Sequence, residues 1–227
     1  MNPIFNHDSQ RVNCAPSPHH YHQDDERGYA LLALMVAMAI LVILLAAAAP
    51  VLKHEAQRER ELEAIRRGEQ VAQAIRDYIV ITKTNRLPTS MDELLEGAQA
   101  PGRTRKTQVL RRSSMRDPLS PDGEWRTIKQ IDTRVLQSFC NDVRRYAETP
   151  VLAVSPTAPD ILKNTQNGVC LPVNLGVVEP DEPEKVLGDA PSSGPFVGVA
   201  SQSQSTSIIN YYGIDKHSRW IFTPLFR

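Results

Sequence analysis

The sequence predicts an α+β protein: a long N-terminal helix, first membrane-spanning and then amphipathic, packed on a small antiparallel β-sheet domain. Three observations predict it. Residues from Tyr29 to Leu52 form an unbroken apolar run. The chain that follows keeps the three-four apolar spacing of a helix with one buried face. The C-terminal half then carries short β-branched or aromatic runs bounded by Pro, Gly, Asp and Ser, the pattern of strands and turns.

The apolar run starts directly after the charged stretch Asp24, Asp25, Glu26, Arg27 and Gly28. A helix of about 24 residues at roughly 1.5 Å per residue reaches about 36 Å, enough to cross a hydrocarbon core about 30 Å thick. Residues 1–28 read as a polar leader, 29–52 as a helix in the lipid bilayer, and the remainder as a domain displayed on one side. Ala46 to Ala49 imitate a signal-peptide cleavage site, but the run is too long, lies too far from Met1, and would leave Pro50 at the second position after the cut. An uncleaved signal anchor stays open as an alternative.

Residues 53–97 read as an amphipathic stalk and a short helix. Leu62, Ile65, Ala72, Ile75 and Ile79 share one face, with Glu and Arg between them. Gly68 is a tolerable interruption. Asn85, Pro88 and Thr89 end the stalk, and Ser90 with Glu93 forms a capping box for a short helix closed by Gly97. Residues 98–227 form the sheet domain. Pro101 to Arg116 reads as a loop or solvated helix, and Asp132 to Tyr146 as a helix. Trp125 to Ile131, Phe196 to Ser201, Thr206 to Tyr212 and Arg219 to Phe226 read as strands. A Pro-rich insertion over about 150–195, with seven prolines between Ser155 and Pro195, reads as an extended, mobile loop.

Lys and Arg number 26 and so do Asp and Glu, so no global field draws the chain toward nucleic acid or anionic lipid. Three cysteines are present. Cys140 and Cys170 both follow the span, and a disulfide between them would close a loop of about 30 residues, worth about 3 kcal/mol; two unrelated buried thiols are the alternative.

This order of leader ending in Gly, apolar helix, amphipathic continuation and small sheet resembles the type IV pilin and type II secretion pseudopilin superfamily. Gly28 before Tyr29 looks like the prepilin peptidase cleavage point, Pro50 falls where these proteins carry a helix-kinking proline, and Arg116-Asp117-Pro118 to Gly123-Glu124-Trp125, Gly194 to Ser201 and Trp220 to Phe222 look like the strand-bearing part of secretion pseudopilins. The resemblance implies a structural subunit, cut after Gly28, N-methylated at Tyr29, and assembled through its apolar helix with other pseudopilin or pilin subunits on an inner-membrane secretion platform. Ala33 stands where most members carry the Glu that pairs with a neighbour's terminal amine. The family's minor tip subunit also lacks that acid, which implies a minor or divergent role.

Lys53, Arg58, Arg60, Arg66 and Arg67 follow the span, whereas Arg27 faces three acids before it. Charge alone would leave the domain in the cytoplasm; the resemblance places it in the periplasm. Glu55, Glu59, Glu61 and Glu63 interleave with those bases as helix-face pairs, which favours the periplasmic reading.

Other constellations carry less. His19, His20 and His22, near Asp24 and Asp25, read as part of a disordered leader and not as a metal site. Asp117, Asp122 and Glu124 lie on a turn with Gly123 and offer the oxygen ligands calcium takes. Pseudopilins that resemble this chain can hold calcium in a C-terminal loop, but the spacing is not that of an EF-hand and Asp with Gly is ordinary turn chemistry. Arg103, Arg105, Lys106, Arg111, Arg112 and Arg116 form a basic stretch. A DNA-uptake pilin would use it on phosphate; the lack of aromatic stacking residues favours a solvated loop or contact with an acidic neighbour subunit. A nucleophile elbow, a P-loop, a zinc-binding His pair and a Cys-x-x-Cys pair are all missing. The expectation is a non-enzyme without a resident cofactor.

Overall fold

A computed structural model describes residues 26–149, 152–153, 155–170 and 194–226, with side chains at 26–28 and 47–52 excepted. The leader histidines, Cys14 and most of the Pro-rich insertion fall outside the described residues. The chain divides into two units, Met1–Pro50 and Val51–Arg227. Helix α1 is assigned over Glu26–Thr82; Pro50, the expected kink, falls within that assignment.

In the second unit, the buried face of α1 runs through Ala64, Gly68, Val71, Ala72, Ala74, Ile75 and Ile79. This corrects the expected stripe at its start: Leu62 is 52% exposed, and Glu61 beside it is fully buried. The stripe carries small residues because the sheet comes close. A Cβ on Gly68 would lie 2.2 Å from Phe222 Cδ2, far within van der Waals contact, so glycine is a packing requirement at this point and not merely tolerated.

Helix α2 (Met91–Glu96) forms as the capping box predicts, with the Ser90 hydroxyl accepting from Glu93 N and Gly97 closing the end at φ +96°. The Glu93 carboxylate reaches back to Thr89 N at 2.7 Å. Strands β1 (Ala98–Gln99) and β2 (Lys106–Thr107) pair antiparallel, so part of the Arg-rich stretch is a short hairpin. A 3-10 turn follows over Arg112–Met115.

The central sheet has β4 (Phe196–Ala200) between β3 (Arg126–Lys129) and a C-terminal strand over Ile221–Phe222, all antiparallel. Every residue of β4 is buried, as expected of a middle strand covered on both faces. A second sheet pairs β5 (Thr206–Tyr211) with β6 (Ile214–Lys216), leaving the C-terminal strand as β7. The expected strand from Arg219 to Phe226 is shorter than read. Only its middle pairs; 3-10 turns over His217–Arg219 and Pro224–Phe226 flank it, and Pro224 has no N–H for a ladder.

Helix α3 (Thr133–Ala147) presents Leu136, Phe139, Cys140 and Val143 to the core. Helix α4 (Asp160–Val169) is the main departure from the sequence reading, which made this region an extended loop. The prolines flank it and do not enter it. Pro159 is its N-cap, and Leu162, Thr165, Gln166 and Val169 bury one face at helical spacing. The Cys140 and Cys170 sulfurs are bonded, with Cα atoms 5.5 Å apart, joining α3 to the end of α4.

Candidate functional site

In the first unit the candidate surface is the helix itself. Tyr29–Ala46 is long and apolar enough to cross a membrane, with mean hydropathy 2.9 and no residue buried. Tyr29 is 78% exposed. An apolar helix with every face uncovered requires either lipid or other helices around it. Gly28 lies in the first turn of α1, one residue before Tyr29, and Ala33 lies on the uncovered surface.

The second unit contains a buried polar cluster beside its hydrophobic core. Glu61 accepts from Ile208 N at 3.0 Å, Ile209 N at 2.8 Å and Gln57 Nε2 at 2.8 Å, and its Oε1 lies 2.9 Å from His217 Nε2. Burial pushes the Glu61 pKa up, but these donors outweigh it and hold the group below its ordinary value. Gln57 also donates to Thr206 O at 3.0 Å. The N-terminal helix is thereby bonded to the β5–β6 hairpin. His217 packs edge-on against Trp220, and its Nδ1 lies 3.2 Å from Ser203 Oγ.

Glu61 therefore corrects the expectation that it pairs with neighbouring bases on the helix face. Glu63 does so, reaching Arg66 at 2.6 Å and Arg67 at 2.7 Å. Hydrogen bonds from those guanidiniums bring its carboxyl down to about 2. Nothing in the residue pattern marks Glu61, since an acid among alternating charges looks like surface. Its burial follows from β5, two of whose N–H groups lack a strand partner and take a carboxylate.

The candidate calcium residues are not gathered. Asp117 is buried and engaged by Ser201 Oγ at 2.6 Å and Leu119 N at 2.9 Å, whereas Asp122 and Glu124 are exposed. Among the described residues, no group of three or more His, Cys, Asp or Glu is placed to hold a metal ion. Burial raises the Asp117 pKa against those hydrogen bonds, as expected for an acid that fixes a turn. Cys140 is consumed by the disulfide.

No curated protein and no solved structure matches the chain. Residues 24–49 match the prokaryotic N-terminal methylation motif, which covers Gly28, Tyr29 and nearly the whole apolar run. An apolar, uncovered helix leading an α+β domain, with that motif at its start, identifies the chain as carrying the N-terminal signal of the type IV pilin and pseudopilin precursors.

Proposed function

We propose that this chain is a pseudopilin-like structural subunit of a bacterial type II secretion or related type IV pilus machine. The observation that carries the reading is the methylation motif at residues 24–49 lying over an apolar helix with no buried face. The span first holds the precursor in the inner membrane, with the leader in the cytoplasm and the domain in the periplasm. Prepilin peptidase cuts after Gly28, where a side chain would obstruct the protease, and Tyr29 becomes an N-methylated terminus. The apolar helix then leaves lipid and packs against the helices of other subunits, so that protein contact replaces lipid contact. The folded domain forms the outer face of a short filament built on the inner-membrane platform. The Cys140–Cys170 disulfide supports the periplasmic side, because such bonds persist in oxidising compartments. Ala33 in place of the usual acid supports a minor position over a major one.

The test is the mature N-terminus, determined by mass spectrometry of membrane-extracted protein with and without the cell's prepilin peptidase. A peptidase-dependent chain starting at Tyr29 with an added methyl group is expected. An intact Met1 in both strains overturns the reading in favour of a permanent anchor.

A further inference from the structure

The Arg-rich stretch is a ledge with a fixed backbone and open charges. Its hairpin is closed by the β1–β2 pairing and by Gln99 Nε2 donating to Arg103 O at 2.7 Å. Leu110 is buried in the core. The 3-10 turn is tied to α1 and to the interior: Ser114 Oγ donates to Gln70, Trp125 Nε1 donates to Ser114 O at 2.9 Å, and Arg67 Nη1 donates to Arg116 O at 3.1 Å. Lys106 is paired with Glu96 at 2.9 Å. Arg103, Arg105, Arg111, Arg112 and Arg116 are exposed, and among the described residues none of these five meets a carboxylate.

Guanidinium groups on a held backbone are suited to two-pronged binding of carboxylates, since the backbone ordering is complete before a partner arrives. No aromatic residue lies between Arg103 and Arg116, so stacking of nucleic-acid bases has no platform within the stretch. The complementary charge exists in the same chain. Residues 179–189 contain Glu179, Asp181, Glu182, Glu184 and Asp189 against a single Lys185. The zero net charge of the protein thus conceals two segregated stretches of opposite sign. We infer that the arginine ledge docks the acidic stretch 179–189 of a second copy of this chain. The inference rests on the proposed filament reading for the presence of neighbouring copies, and gives that contact its chemistry and polarity: ledge of one copy, acidic stretch of the next.

The experiment uses the full-length chain in detergent, mixing unlabelled and nitrogen-15-labelled copies. A photo-crosslinker, Ser113→p-benzoylphenylalanine, sits between Arg112 and the buried Ser114, at an exposed position. The expected product joins the peptide containing position 113 of one isotope to the peptide containing 179–189 of the other. Its yield falls at least tenfold in R111E/R112E and recovers when the partner copy carries D181R/E182R. Raising the salt to about 1 M, where the screening length is about 3 Å, also lowers it. A crosslink confined to one isotope, one that lands elsewhere in the chain, or no crosslink between copies overturns the inference. The mature N-terminus is read in the same samples. A Tyr29 terminus without the inter-copy product removes the docking alone, and a Met1 terminus with that product removes the processing alone.

Discussion

Glu61 and His217 lie 156 residues apart in the chain and meet in the interior with 2.9 Å between Oε1 and Nε2. Both are essentially inaccessible to solvent. A buried carboxylate is stable only when its oxygens are satisfied, and here the backbone of β5 supplies two of the donors. Glu61→Ala strands those N–H groups together with His217. Each orphaned buried donor costs about 1–3 kcal/mol, so a loss of about 3 kcal/mol or more is expected in urea unfolding of the full-length chain in detergent. A change within about 0.5 kcal/mol, typical of surface positions, would show that the cluster contributes nothing.

The same cluster contributes to the acid limb of stability. The folded pKa of Glu61 is depressed, so its contribution is present above the unfolded value near 4.5 and is lost as pH falls through the folded value. Asp117 acts in the opposite direction. Burial raises its pKa above the ordinary 3.8, so its protonation on acidification favours the folded state. Unfolding midpoints measured from pH 7 downward should therefore fall below about pH 4.5 in the parent chain. They should fall less in Glu61→Gln, measured against its own pH 7 value, and more in Asp117→Asn. Parallel curves for all three proteins would rule the assignment out.

Gly68 is fixed by the Phe222 ring, which occupies the place of a side chain. Gly68→Ala raises helix propensity by about 1 kcal/mol yet overpacks the core, which costs about 1–3 kcal/mol and more where the neighbour is as enclosed as Phe222. The expected net result is destabilisation, with partial recovery in Gly68→Ala/Phe222→Leu. A more stable Gly68→Ala chain would mean that the helix and β7 are free to separate.

The architecture was legible wherever local chemistry fixed local structure. The apolar run, the Ser90–Glu93 cap with Gly97, the α3 pattern and the strand of Phe196 to Ala200 each declared themselves through period or punctuation. What was hidden depended on partners distant in sequence. Leu62 and Glu61 exchange their expected burial because β5 requires an acceptor for Ile208 and Ile209. Helix α4 was concealed by the prolines around it, although Asp160–Val169 itself contains none. Asp117, Asp122 and Glu124 offered oxygen ligands on one turn, but Asp117 is buried and bonded to Ser201 across the fold.

Joining α3 to the end of α4 through Cys140 and Cys170 closes 30 residues of chain. Cys140→Ser/Cys170→Ser is expected to lose about 3 kcal/mol of unfolding free energy from the greater freedom of the unfolded chain. A reductant should produce a similar loss in the parent chain and no further loss in the variant. Equal stability with and without reductant in the parent would show that the bond does not form in the protein as expressed.

The membrane-spanning helix offers the sharpest separation between anchoring and assembly, because both use the same uncovered surface. Ala39 lies near the middle of Tyr29–Ala46 and is exposed. An arginine there costs about 2.5–3.5 kcal/mol at mid-span on insertion scales, and in a packed helix bundle it would also need a partner that neighbouring apolar helices do not supply. Ala39→Arg should therefore abolish insertion or incorporation into sedimentable filaments, while Ala39→Leu keeps insertion and tests packing alone. Measured by carbonate extraction for insertion and by ultracentrifugation for filaments, an Ala39→Leu chain that inserts but assembles poorly would locate Ala39 at a helix–helix contact. Normal incorporation of Ala39→Arg would contradict a filament core built from these helices.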